Sequence, residues 1–233
     1  MKRILVPTLG TADWRRLLAE PETQWEREAS AMEMAVSWEK AQESERGLPE
    51  EMIKAMDRQP ALSGARLLVA FPEHKVVLKG RGKPSQSDVW ALVLTEGGYL
   101  SMALEAKAGE PFGPTLGEWM KDASEGKHER LKSLCEILQV ENPSSELRYQ
   151  LFHRTASAVL EAQRFRAPLA AMLVQSFRND PVAWNDYEKF CGLLGVTAAR
   201  GSILEARRSG APRLFLGWLD CPVATDAEMA CVV

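Results

Sequence analysis

The sequence predicts one mixed α/β domain folded around a single sheet. Three observations carry that reading. Of 233 residues, 45% are apolar and 26% charged, enough for one sizeable core. Strand-length apolar runs cluster between Ala65 and Ala108 and return near Ala170 and Arg213, with helical periodicity before, between and after them. No internal repeat and no Pro/Gly-rich linker divides the chain, so residues 1–233 are expected to form one unit.

The first 60 residues read as helical. Asp13 to Leu18 suggests a short helix. Ser30 and Glu33 have capping-box spacing, and Ala31, Met34, Ala35, Trp38 and Ala41 then recur on one helical stripe. Glu43 to Asp57 is charged and is expected to be a solvated helix or loop. From Ala65 the period changes. Leu67 to Phe71 and Lys75 to Leu78 read as strands either side of a Pro72-Glu73-His74 turn. A polar loop, Gly80 to Ser87, leads into the run Asp88 to Thr95. Gly97-Gly98 is a hairpin signal, with Tyr99 to Ala108 as the returning strand. Helical spacing resumes near Thr115 and runs to Val140, with a break expected at Gly126. Asn142 to Ser145 precedes a long helix, roughly Glu146 to Arg166. Ala170 to Phe177 and Arg213 to Leu219 read as two more strands, around a helical insert near Trp184 to Leu194.

Charge and cysteine content exclude several classes. The net charge is −3, from 29 basic and 32 acidic residues, which is no nucleic-acid coat. The balance is uneven, however: residues 1–60 carry 9 basic and 12 acidic side chains, residues 146–213 carry 10 and 6. The short basic loop holding Lys75, Lys79, Arg81 and Lys83 has no acid between its ends. Cys135, Cys191, Cys221 and Cys231 are scattered without a CxxC pair, so reduced thiols are expected rather than a zinc site or a disulfide framework. No run of 18 apolar residues exists, and Met1 to Gly10 lacks a signal-peptide core; a cytoplasmic protein without membrane contact is expected.

The acidic chemistry lies on the hairpin. On the returning strand Tyr99, Ser101, Ala103, Glu105 and Lys107 share one face. With Gly97-Gly98 as a two-residue turn, Asp88 falls opposite Lys107, and Glu105 is its diagonal neighbour on the same face. A slip of one residue would throw Asp88 to the other face. Two carboxylates suit a hard cation such as Mg²⁺ or Mn²⁺, with the Ala106 carbonyl as a further oxygen donor. Lys107 beside them would stabilise a phosphate in its transition state. Asp88 and Glu105 are thus the candidate metal ligands, and Asp88, Glu105 and Lys107 the candidate catalytic residues.

Asp88 followed by Glu105-Ala106-Lys107 resembles the D…ExK signature of the PD-(D/E)XK nuclease superfamily. The resemblance implies a restriction-endonuclease-like core, α-β-β-β-α-β, with a mixed central sheet flanked by helices, over about residues 30–178, and extra N- and C-terminal elements around it. It also implies Mg²⁺-dependent hydrolysis of DNA or RNA. The proline of the "PD" is absent: Ser87 precedes Asp88. Ser85 to Asp88 and Leu147 to Leu151 are similar to stretches of uncharacterised bacterial proteins with this core.

Competing readings stand beside these. Asp88, Glu105 and Lys107 could form a cross-strand salt bridge on a solvated face, which would suit a catalytically inactive binding or assembly module. A hydrolase of small phosphate esters is a third class. Glu33 is either an acid of the site or half of a capping box. On the long helix, Gln150, His153, Arg154, Ser157, Glu161 and Arg164 form one polar stripe, facing either a cleft with phosphate in it or solvent. The basic loop fails the Walker A spacing and is either a phosphate-steering turn or plain surface. DNA or RNA is the expected partner, and a homodimer the candidate assembly.

Overall fold

The computed structural model describes residues 10–26 and 29–230; Met1 to Leu9 and Cys231, weighed above, lie outside the described residues. A 3₁₀ turn at Thr11–Leu17 and a four-residue helix α1 (Pro21–Gln24) lead into α2 (Ser30–Ala41) and α3 (Glu50–Asp57). The strands β1 (Arg66–Val76), β2 (Ser85–Thr95) and β3 (Gly98–Lys107) follow, then α4 (Leu116–Met120), α5 (Glu125–Leu138) and α6 (Tyr149–Phe165). The chain closes with β4 (Leu169–Ser176), α7 (Pro181–Leu193), β5 (Ser202–Glu205), β6 (Arg213–Asp220) and α8 (Asp226–Ala230).

All six strands form one open mixed sheet in the order β1-β2-β3-β4-β6-β5. The first three make an antiparallel meander; β4 and β6 continue it in parallel, and β5 closes the far edge antiparallel. A parallel neighbour needs a crossover, and the segment from α4 to α6 supplies it between β3 and β4. Two cores result. Trp38, Met52 and Met56 pack on one face against Val89, Ala91, Met102 and Leu104. Phe152, Ala156 and Val159 pack on the other against Met172, Leu216 and Trp218. Every residue of β4 is buried, as a central strand covered on both faces requires.

Several local expectations are corrected. Pro72 does not break β1, which runs unbroken for 11 residues. It is an edge strand, and an edge position tolerates the missing N–H. Glu43 to Asp57 is not simply solvated: α3 turns Met52, Ala55 and Met56 inward. The capping box at Ser30 does not form; Ala29 is the N-cap, and the buried Glu33 instead accepts the Ala224 N–H at 2.7 Å. The expected loop Gly80 to Ser87 is shorter, because β2 already starts at Ser85. The helix break falls between Met120 and Glu125 rather than at Gly126, and β5 was not anticipated.

The hairpin turn also moves. Glu96 and Gly97 form the loop, while Gly98 already pairs with Thr95. Backbone bonds from Glu96 N to Ser63 O and from Gly97 N to Ala61 O, both 3.0 Å, pin this turn to the segment before β1. A Cβ on Gly97 would come within 2.5 Å of the Ala61 carbonyl oxygen, so only glycine fits there.

Candidate functional site

The displaced turn changes the pairing by two residues, which preserves the face and alters the partner. Val89 pairs with Leu104, so continuing the ladder sets Asp88 opposite Glu105, with Lys107 on the diagonal; the expected Asp88–Lys107 pair is corrected accordingly. The three sequence-predicted residues do share one face, beneath α6. The Asp88 carboxylate also reaches across the ladder, its Oδ2 accepting the Ala106 N–H at 2.7 Å.

Sequence reasoning missed a third carboxylate. On β1, Pro72 pairs with Val89 and His74 with Ser87, which brings Glu73 opposite Asp88. Glu73, Asp88 and Glu105 therefore form a row across three adjacent strands. Glu73 adopts a positive φ of 53° and its Oε2 accepts from Gln86 Nε2 at 2.6 Å. The signal was present in the sequence: an unbroken β1 antiparallel to β2 aligns position 73 with 88. Reading Pro72-Glu73-His74 as a turn concealed it.

Arg164, at the end of the α6 polar stripe, is exposed to solvent, whereas the first part of the stripe faces this row. Its i, i+4 pair Gln150 and Arg154 converge on Glu105. Arg154 Nε donates to Oε2 at 2.6 Å, and Gln150 Nε2 to Oε1 at 2.6 Å. Lys107 Nζ donates to the same Oε1 at 2.9 Å. Farther along, Ser157 and Glu161 are buried too. The helix is held in place by Ser101, whose hydroxyl donates to the Ala158 carbonyl at 2.9 Å while accepting from Trp90 Nε1.

This environment divides the carboxylates. Burial alone would raise Glu105, but the Arg154 and Lys107 cations hold it down to about 2, so it is ionised at neutral pH. Glu73 is pushed up to about 7, first by burial, with Glu105 adding to it. Asp88 is raised well above the usual carboxylate range by burial and by the charges of Glu105 and Glu73. Lys107 stays a firm ammonium: burial opposes its charge, and Glu105 and Asp88 more than offset that. His153, its Nδ1 2.8 Å from the Ser85 hydroxyl, is held well below the usual imidazole range by burial and by Arg154.

The basic loop is ordered by one side chain. Arg130 of α5 donates to the carbonyls of Lys79, Gly80, Gly82 and Lys83, leaving Arg81 and Lys83 at the surface. Glu33 stays out of the site, on the opposite side of the sheet.

The donor set suits one kind of metal and not another. Among the described residues no group of three or more His, Cys, Asp or Glu side chains is arranged to hold an ion, so a preformed protein cage is not what the row offers. Asp88 and the second lone pair of Glu105 Oε2 fit a hydrated Mg²⁺, which takes one or two carboxylates and keeps water and substrate oxygens. Cys135, Cys191 and Cys221 are free thiols. Among the described residues no helix is long and apolar enough to cross a membrane.

The family model described as a domain of unknown function (DUF6946) matches residues 7–222. No curated protein and no solved structure matches the chain.

Proposed function

The chain belongs to the DUF6946 family, whose description names no activity, and from its own residues we propose a nuclease that hydrolyses phosphodiester bonds of DNA or RNA with Mg²⁺ or Mn²⁺. One observation carries the reading: Asp88, one residue beyond the last hairpin pair Val89–Leu104, takes the Ala106 N–H at 2.7 Å, between Glu105 and Lys107, and the Lys107 ammonium lies 2.9 Å from Glu105. The element order α2/α3-β1-β2-β3-α6-β4, with β4 parallel to β3, supports the restriction-endonuclease-like assignment.

Asp88 and Glu105 would hold the cation, which when bound supplies a more acidic water and neutralises charge on the phosphate. Burial first, and then the charge of Glu105, raise Asp88 and Glu73, and a cation would favour the deprotonated form of the row. Arg154 and Gln150 keep Glu105 fixed and ionised, so its orientation is set before substrate arrives. Lys107 acts as a proton-holding cation rather than as a base, since its ammonium is stabilised by two carboxylates. Its Nζ makes one hydrogen bond, to Glu105, and would turn a remaining N–H toward a phosphate oxygen or the attacking water.

Purified protein with Mg²⁺ or Mn²⁺ should cleave a mixed panel of single- and double-stranded DNA and RNA. Asp88→Ala and Lys107→Ala should each abolish cleavage; activity surviving both substitutions would sink the mechanism. The second reading, a catalytically inactive binding or assembly module, is favoured by the three donors already on Glu105, which leave it one lone pair, and by Lys107 being only 4% exposed. Calorimetric titration with Mn²⁺ separates the two. The nuclease reading expects a binding heat that Glu105→Ala removes, and the module reading expects none.

A further inference from the structure

Beside the carboxylate row lies a cavity of about 330 Å³ between the Leu78–Ser85 segment, α4, the first two turns of α5 and α6. Its lining holds four cations, Arg81, Lys83, Lys127 and Arg130, and no carboxylate. In a chain of net charge −3 that composition selects an anion. The same cavity is lined by rings. Trp119 and Tyr149 stack with centroids 4.0 Å apart and planes within 7°, and His153 packs against Tyr149 at 4.7 Å. Trp119 and Tyr149 are each partly exposed, and Lys127 Nζ lies 5.5 Å over the Trp119 ring.

We propose that this cavity holds one unpaired nucleotide of a single-stranded nucleic acid, its phosphate on Arg81 and Lys83 and its base against the Trp119–Tyr149 stack. The inference rests on the nuclease reading and names the form of its substrate. Positive charge along a backbone track, combined with aromatic platforms, is the chemistry that binds single strands without regard to sequence. The volume accommodates one nucleotide and not a duplex, whose bases are already stacked and turned inward.

Two features make the cavity a prepared site. Arg130 spends its guanidinium on four loop carbonyls, which fixes the loop and leaves Arg81 and Lys83 without a carboxylate partner among the described residues. The floor also connects to the row. Ser85 and His153, both in the lining, are joined at 2.8 Å; Arg154 Nη1 donates to the Ser85 hydroxyl at 3.3 Å, and its Nε to Glu105. A strand seated here brings its neighbouring phosphodiester toward Asp88 and Glu105.

The test is fluorescence anisotropy in EDTA, using the Lys107→Ala protein so that nothing is cleaved. The probe is a dye-labelled oligo-dT of about a dozen nucleotides, compared with a blunt duplex of the same length. The strand should bind at least about tenfold more tightly than the duplex. Joint Arg81→Ala and Lys83→Ala should weaken it and flatten its salt dependence, because two phosphate contacts are lost. Trp119→Ala should weaken strand binding by about tenfold with the salt slope unchanged, and Trp119→Phe should retain most of it. Since Trp119 is part of a packed stack, the two exposed basic residues provide the arm that folding defects cannot confuse. Equal affinity for duplex, or strand affinity unchanged in the Arg81/Lys83 variant, overturns the proposal. A free mononucleotide that binds as tightly as the strand overturns it as well, since the cavity would then belong to a small molecule. Strand binding without cleavage by the unsubstituted protein sinks the nuclease reading and leaves this one standing. Cleavage that ignores the cavity variants does the reverse.

Discussion

Arg154 decides what Glu105 can be. Its guanidinium is buried, donates to Glu105 Oε2 at 2.6 Å and to Ser85 at 3.3 Å, and with Lys107 accounts for the depressed Glu105 titration. Removing one partner of a buried ion pair leaves the other charge uncompensated, which costs about 3–5 kcal/mol. Arg154→Ala should therefore lower the urea midpoint by that order of free energy and raise the Glu105 titration toward the ordinary carboxylate range. Arg154→Lys should restore little, because a point charge cannot reproduce the two divergent N–H bonds. A carboxyl-resolved NMR titration of Glu105 checks the second half; an unmoved titration in Arg154→Ala would transfer its control to Lys107 alone.

The hairpin shows why the elements were largely legible while the pairing was not. Period-two alternation in Leu100 to Lys107 placed Glu105 and Lys107 on one face, and any even change of register keeps them there with Asp88. Which residue stood opposite Asp88 depended on a contact outside the hairpin, the Ala61 and Ser63 carbonyls that select Glu96-Gly97 over Gly97-Gly98. Nothing local to the strands carries that information. Glu73 was hidden by the opposite error, a local turn signal at Pro72 outweighed by the pairing of an edge strand. On α6 the polar stripe was readable from spacing, but its direction was not: Arg154 turns inward to Glu105, Glu161 to His74 of β1, and Ser157 back onto the His153 carbonyl, partners that the helix sequence does not name. Gly97→Ala tests the turn. A methyl pressed against the Ala61 carbonyl must displace backbone, so the variant should lose about 1–3 kcal/mol in urea unfolding. A neutral substitution would mean that the anchoring segment yields, and that register is held within the strands themselves.

Across the whole molecule the three carboxylates set opposing pH dependences. Glu105 is held at about 2, below its ordinary value of 4.5, so its contribution is present above pH 4.5 and is lost as pH falls from there toward 2. Glu73 is raised from 4.5 to about 7, so the folded state binds its proton more tightly than the unfolded chain does. Its contribution is complete below 4.5 and disappears as pH rises through 7, with an upper bound of about 3 kcal/mol. Asp88 is raised as well and acts in the same direction. In EDTA, unfolding free energy should therefore climb from strong acid to about pH 4.5 and decline toward and beyond neutrality. Glu73→Gln should flatten the neutral decline, and Asp88→Asn should flatten it further. Mn²⁺ held at Asp88 and Glu105 favours the deprotonated row, so its stabilisation should grow as pH rises and oppose the decline seen in EDTA. Urea melts at a series of pH values, with EDTA and with Mn²⁺, read both effects. A decline that persists in the doubly substituted protein would place its origin outside the row. A decline unchanged by Mn²⁺ would leave the three carboxylates as a buried ionic network that binds no metal and is balanced by Arg154 and Lys107.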